Sequence, residues 1–308
     1  MAAESATLEA KRWVEYFELE TRRFIGRCSS PRMPFAWTVN PYRGCEFGCK
    51  YCYARYTHEF MELRDPEAFE RKIFAKRFAE AAFREELRRV PRGESIWIGT
   101  ATDPYQPAER RFGITRGMLE VFAEEGGRRI GLTTKSDLVG RDADLLGAIA
   151  GRNAVNVHVS VTTLDESLAR QLEPFAPRPS LRLAAIGKLT AAGVPVTVLC
   201  APVLPLINDS EAGLEAVCAA GAAAGATSFH ASPLFLRSPS KEVFLAFIDE
   251  RFPRLARRYR ERYERAAYLS GAYPETLRAR VAAVRARHGM AGRSEGPAPE
   301  EGQMRLFE

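Results

Sequence analysis

Long apolar runs are missing from this 308-residue chain. Its most alanine-rich stretch, 214-LEAVCAAGAAAGA-226, is too short to cross a bilayer and is broken by glycines, so it reads as a buried helix and no membrane partner is expected. The start shows no charged-then-apolar leader, and six cysteines in a chain of this length make no disulfide framework. The expectation is a cytoplasmic protein with reduced thiols. A second cysteine pair is also missing, because Cys28, Cys200 and Cys218 stand far apart. That speaks against a structural zinc, which wants four protein ligands and commonly takes them from paired C-x2-C units. No internal repeat appears beyond an alternation of strand-like and helix-like segments.

What the chain does have is three cysteines packed into eight residues, Cys45-Glu46-Phe47-Gly48-Cys49-Lys50-Tyr51-Cys52. Thiolates are the usual holders of iron–sulfur clusters, and a [4Fe–4S] cube offers four irons to ligate. Three thiolates from one loop leave one iron open, where a small molecule could bind and receive an electron.

The string 40-NPYRGCEFGCKYCYAR-55 resembles the cluster loop of the radical S-adenosylmethionine (SAM) superfamily, whose C-x3-C-x-aromatic-C signature is met by Cys45, Cys49, Tyr51 and Cys52. The stretches 99-GTATDPYQPAE-109, 133-TTKSDLVGRDADLL-146, 157-VHVSVTTLD-165 and 201-APVLPLIND-209 are similar to strand ends of its spore photoproduct lyase-like branch. The resemblance runs over about residues 31 to 240. It implies that Cys45, Cys49 and Cys52 hold a [4Fe–4S] cluster, that SAM chelates the open iron, and that a reductant such as flavodoxin or ferredoxin supplies the electron. It further implies that Lys135 faces the methionine carboxylate, that Ser160 sits near the SAM ribose or methionine portion, and that Thr100 and Thr102 approach the methionine amino group. Tyr51 and Tyr53 match tyrosines that take part in radical transfer in that lyase; on their own they are also suited to packing around a cluster. One departure stands out. The lyase returns a hydrogen atom from a cysteine near the second strand's end, and Thr100-Ala101-Thr102-Asp103 contains none. Cys200 is either a replacement donor or, as unpaired cysteines usually are, a small buried hydrophobe.

Apolar runs at Ser95 to Gly99, Arg129 to Thr133, Val155 to Val161, Val194 to Leu199 and Ser228 to Ser232 read as buried strands, with a first strand at about Thr38 to Tyr42. Helical patterns lie between them, among them 116-RGMLEVFAEEG-126 and 180-SLRLAAIGKLTAAG-193. Strands alternating with helices predict an α/β fold with a parallel sheet, here a partial (βα)6 TIM-type barrel with N-terminal and C-terminal helical additions. The motif residues all fall at carboxyl ends of strands, where such a barrel places its chemistry. Asp103, Glu109 and Asn208 are there too, as substrate contacts or as caps and turns.

The predicted organisation is a helical extension over 1–30 built on 7-TLEAKRWVEYFELETRRF-24, a core over 31–240, basic helices over 241–290 and a flexible tail over 291–308. Charge is balanced overall, with 45 Lys and Arg against 39 Asp and Glu, yet 251-RFPRLARRYRERYERAAY-268 gathers seven arginines against two glutamates. Arginines interleaved with Tyr259, Tyr263 and Tyr268 suit phosphate contact and base stacking, or a plain solvated helix face. In the tail, Gln303-Met304-Arg305-Leu306-Phe307 resembles the Q-x-x-L-F peptide by which bacterial repair and replication proteins dock on the sliding clamp, with Gln303 as polar anchor and Leu306 and Phe307 as apolar ones. His58 either approaches the cluster or closes its own loop. The expected function is reductive SAM cleavage followed by hydrogen-atom abstraction on DNA in a repair-type reaction. A radical enzyme acting on RNA or protein, and a non-catalytic Fe–S nucleic-acid binder, are the alternatives.

Overall fold

The computed structural model describes residues 7–10, 14–30 and 33–290. Two sheets organise them. The larger has the order β11-β10-β9-β8-β7-β4-β3, in which β4 (Trp37–Val39), β7 (Ser95–Ile98), β8 (Arg129–Thr134), β9 (Ala154–Ser160), β10 (Val196–Val203) and β11 (Ser228–Pro233) are parallel. β3 (Ile25–Arg27) runs antiparallel on the outer edge of β4. Six parallel strands with helices between them form the partial barrel that the alternating pattern predicts.

Strand alternation sorts the side chains. Val157, Val159 and Val198 point to the helical layer and are fully buried, each contributing roughly 1.5–3 kcal/mol through apolar burial. Val198 lies against Gly221 of the helix Glu211–Ala223, where a Cβ would come within 2.4 Å of it. On the opposite face the lower lumen is filled by rings: Trp97 meets His158 edge-on at 4.7 Å and stacks on Phe35 at 5.3 Å. Gly131 makes room for Trp97, since a Cβ there would lie 2.1 Å from the indole.

The helix expected over 7–24 is not formed. Thr7–Ala10 (β1) and Glu15–Leu19 (β2) are strands of a second sheet, ordered β1-β2-β6-β5 with β6 (Lys72–Lys76) and β5 (Tyr42–Arg43). The reason is tertiary: β2 pairs in parallel with β6, Tyr16 opposite Ile73, and Phe17 stacks on Phe74 at 5.0 Å. Cross-strand aromatic packing on a half-buried surface outweighs helical spacing in such a short segment. The C-terminal additions are helical, at Ser240–Arg251, Ala256–Arg262 and Ala272–Arg287. No helix among the described residues is long and apolar enough to cross a membrane. Gln303, Leu306 and Phe307 lie outside the described residues.

Candidate functional site

The cysteine loop follows β5 and is pinned on three sides. Cys45 N–H donates to the Phe69 carbonyl at 2.9 Å, Lys50 N–H to the Leu172 carbonyl at 2.9 Å, and Phe175 N–H to the Phe47 carbonyl at 3.2 Å. Two glycines make the path feasible. Gly44 has φ +81°, and a Cβ there would meet the Phe69 and Lys72 carbonyl oxygens at 2.7 and 2.8 Å; Gly48 has φ +63° and would meet the Phe175 ring at 3.0 Å. Buried polar side chains complete the support. Glu46 accepts from the Tyr16 hydroxyl at 2.8 Å and the Ala108 N–H at 2.8 Å, while Gln106 accepts from Glu46 N–H at 3.0 Å and donates to the Gly44 carbonyl at 3.1 Å.

The three thiols are free; Cys45 and Cys49 are buried and Cys52 is half-buried. Burial pushes all three upward in pKa, Cys49 to about 12, and Asp103 and the neighbouring thiols add to the rise at Cys45. Lys135 and Arg182 act the other way on Cys49, as do Arg55 and Lys135 on Cys52. Thiols in such surroundings become thiolates when a metal supplies the charge. Among the described residues no three Cys, His, Asp or Glu side chains close around a single ion, as a structural zinc would require. A cube takes each thiolate at a different iron, and three free thiols within eight residues are a donor set that fits it.

Lys135 follows β8 and places its ammonium 5.6 Å from the Tyr51 ring centroid, with no hydrogen bond or ion pair to any described residue. Its backbone N–H is held by Asp103 at 2.7 Å, and Asp103 also accepts from Thr134 and the Tyr105 N–H. Asp103 is thus a turn-former. Tyr51 donates its hydroxyl to Glu173, which also accepts from Thr162 at 3.0 Å and is ion-paired with Arg182. Arg182 in turn donates to the Ser160 carbonyl at 3.0 Å and the Pro177 carbonyl at 2.7 Å. Burial by itself would raise the pKa of Glu173; the charges of Arg182 and Lys135 outweigh it and hold it low.

Tyr53 is exposed, donates its hydroxyl to the Thr100 carbonyl and meets the Phe235 ring at 6.3 Å. The Thr100 hydroxyl pairs with Asn40 at 3.0 Å, and the buried Thr102 hydroxyl is taken by the Gly44 carbonyl at 2.6 Å and by Gln106 at 2.9 Å. Ser160 ends β9, almost fully buried. The structure therefore brings Cys45, Cys49, Cys52, Tyr51 and Lys135 together, sets Tyr53 with Thr100 at the second strand's end, and turns Thr102 into a support for the loop.

Several other readings resolve. Glu109 accepts from Tyr42, the Thr115 N–H and Arg141, and Asn208 bonds the Leu204 N–H and the Thr162 carbonyl, so both are structural; Ser210 caps the following helix. His58 closes its loop on the Lys72 carbonyl at 3.0 Å, and burial lowers it to about 4. Cys200 shares the face of Val198, away from the lumen, with its thiol 3.5 Å from the Thr162 carbonyl. It is a buried hydrophobe. Tyr259 and Tyr263 are buried and spend their hydroxyls on the Pro205 and Leu234 carbonyls, so of the three tyrosines only Tyr268 is exposed, its ring 4.4 Å from that of Phe235. Glu173, Arg182, Gln106 and Glu46 carry no short-range sequence signal; only the pairing of distant segments reveals them.

Residues 39–214 match the family model of the radical SAM superfamily. An uncharacterized protein of Mycobacterium tuberculosis is 39% identical over 275 residues, covering 89% of this chain and 80% of that protein; one from Methanocaldococcus jannaschii is 25% identical over 202 residues, 64% of this chain and 71% of that protein. Among solved structures, spore photoproduct lyase complexed with dinucleoside spore photoproduct superposes with a TM-score of 0.65 at 14% identity, covering 89% of this chain and 81% of that one. A mutant of that lyase with bound S-adenosylmethionine and the same dinucleoside gives 0.62 at 16% identity, covering 90% and 81%. Streptococcus suis SuiB bound to S-adenosylmethionine gives 0.52 at 12%, covering 84% and 50%.

Proposed function

The chain belongs to the radical SAM superfamily, and on that premise we propose that it is an enzyme that cleaves S-adenosylmethionine reductively and starts hydrogen-atom abstraction on DNA. Cys45, Cys49 and Cys52 would hold a [4Fe–4S] cluster in the loop before β6. Bound there and reduced by a flavodoxin or ferredoxin, the cluster supplies the electron that splits SAM into methionine and a 5′-deoxyadenosyl radical.

The residues divide the remaining tasks by their chemistry. Lys135 presents a partly buried cation with no hydrogen bond or ion pair to a described residue, which suits a carboxylate such as that of the SAM methionine. Burial lowers it, but the neighbouring Cys49 and Glu173 more than compensate, so it stays protonated. Ser160 at the end of β9 and Thr100 after β7 would offer polar groups to the rest of SAM. Tyr51, fixed by Glu173, walls the loop between the thiols and Lys135. Tyr53, exposed beside Thr100 and Phe235, would suit contact with the substrate. The single observation that carries the SAM reading is the convergence of three free thiols and an unpaired lysine at the carboxyl ends of parallel strands.

For DNA, support comes from the fold shared with a lyase whose structures hold a dinucleoside photoproduct, and from the exposed arginines of 251–265 beside loops 205 and 234 at the mouth. Thr100-Ala101-Thr102-Asp103 carries no thiol to return a hydrogen atom, so the reaction is proposed as repair-type abstraction and not as photoproduct cleavage itself. The tail residues Gln303, Leu306 and Phe307 add a route to DNA through the sliding clamp. Anaerobic turnover with dithionite tests the reading: 5′-deoxyadenosine should form, and DNA but not RNA should accelerate it. Acceleration by RNA alone would move the substrate class.

A further inference from the structure

A set of cations on the barrel's edge forms no ion pair with any described acid. Arg43 of β5 lies opposite Phe74 in β6, so Lys76, two residues on, shares its face of the sheet. Lys76 is only 9% exposed, and its ammonium forms no hydrogen bond or ion pair with a described residue and stands 5.5 Å from the Phe24 ring centroid. It lines a cavity of about 370 Å³ between β3, β4 and β6, together with Arg23, Arg27 and Asn40. Arg23 and Arg27 are exposed at its rim and form no ion pair with a described residue. The nearest carboxylate is already engaged: Glu86 accepts from the Phe24 N–H at 2.9 and 3.1 Å and the Ile25 N–H at 2.9 Å. On the inner side Asn40 ties the cavity wall to the end of β7, bonding Thr100 at 3.0 Å and the Ala101 N–H at 2.8 Å.

A buried, unpaired cation costs free energy unless an anion joins it. Desolvation and then the charge of Arg43 lower Lys76 to about 8, against a small opposing effect of Glu86, which is what a lysine without a counter-ion shows. Three cations around one cavity exceed the single charge of a carboxylate and suit a phosphate, which arginine and lysine bind through several oxygens at once. We propose that this cavity is a phosphate-binding site, in which Lys76 takes a phosphate group from inside while Arg23 and Arg27 close on it from the rim. The site adjoins the barrel mouth through Asn40 but shares no residue with the cysteine loop. On the radical SAM reading proposed above, its place beside Asn40 would let it hold a phosphate of the molecule acted on.

Titration of the full-length protein at constant ionic strength tests this, first with inorganic phosphate and then with a short single-stranded oligodeoxynucleotide. Phosphate should bind saturably and raise the melting temperature, with chloride as control. Lys76→Met should weaken phosphate binding at least tenfold while remaining folded, and the rim double variant R23Q/R27Q, on exposed residues, should weaken it severalfold. Oligonucleotide affinity that falls in parallel assigns the phosphate to a nucleic-acid backbone; oligonucleotide affinity that is unchanged while phosphate binding is lost assigns it to a free phosphate or nucleotide. No phosphate response in the wild-type protein, or the same response in both variants, overturns the proposal.

Discussion

The Tyr51 hydroxyl donates to the carboxylate of Glu173, 122 residues further along the chain, and so ties the cysteine loop to the end of the helix Glu166–Leu172. Glu173 is in turn ion-paired with the buried Arg182. Loop and barrel are locked by one buried carboxylate.

Glu173→Gln leaves the Arg182 guanidinium buried without its counter-charge, which should cost about 3 kcal/mol in denaturant unfolding. The double variant Glu173→Leu/Arg182→Met should recover most of that loss. The acid limb of stability carries a second signature. Because the native state holds Glu173 below its ordinary value, its contribution is complete above the unfolded pKa near 4.5 and is lost as pH falls through the lower native one. A stability–pH curve for Glu173→Gln should therefore be shallower below pH about 4.5 than that of the parent.

Gly44→Ala should disable the loop with little effect on the barrel. The positive φ and the two carbonyls under 3 Å from the added Cβ together cost roughly 2 kcal/mol or more. Iron retained after anaerobic reconstitution should drop, while far-ultraviolet circular dichroism stays the same.

Lys135→Met should weaken SAM binding roughly ten- to a hundredfold, the value of about 1.5–3 kcal/mol for a charge-assisted hydrogen bond. Equilibrium dialysis with labelled SAM measures it. Cys200→Ala, on the helical face of β10, should leave SAM cleavage unchanged.

Lys76→Met should stabilise the protein near neutral pH by on the order of 2 kcal/mol. Below about 8 the lysine is charged in both native and unfolded chains, and the native state bears the whole cost of burying it. Above that value the native lysine loses its proton while the unfolded one keeps it, so parent stability rises with pH and the variant's advantage shrinks toward pH about 10. Arg43 and Glu86 are the charged groups that act on it. Paired melts at pH 7 and 9.5 would expose a constant difference, which this account does not allow.

The sequence reveals the barrel because its strands announce themselves locally. The run at Ser95 to Gly99 becomes β7 at Ser95–Ile98, and Arg129 to Thr133 becomes β8 at Arg129–Thr134, each apolar stretch being long enough for both faces of a buried strand. The cysteine loop is legible for the same reason, since its ligand spacing lies within eight residues. Residues 15–19 mislead because their fate is decided by β6, more than fifty residues away: Tyr16 needs Ile73 beside it to be a strand residue. Glu173 is silent in the same way, an ordinary glutamate until the fold carries it to Tyr51 and Arg182. Tyr259 and Tyr263 look like a stacking surface along the helix, but the loops of β10 and β11 cover them.

The most direct measurement is electron paramagnetic resonance on the protein reconstituted anaerobically with iron and sulfide, reduced, and titrated with SAM. The account predicts about four irons per chain, a reduced-cluster signal that changes when SAM is added, and loss of both in Cys45→Ala, Cys49→Ala and Cys52→Ala. Zinc in place of iron, or a cluster signal indifferent to SAM, would contradict it.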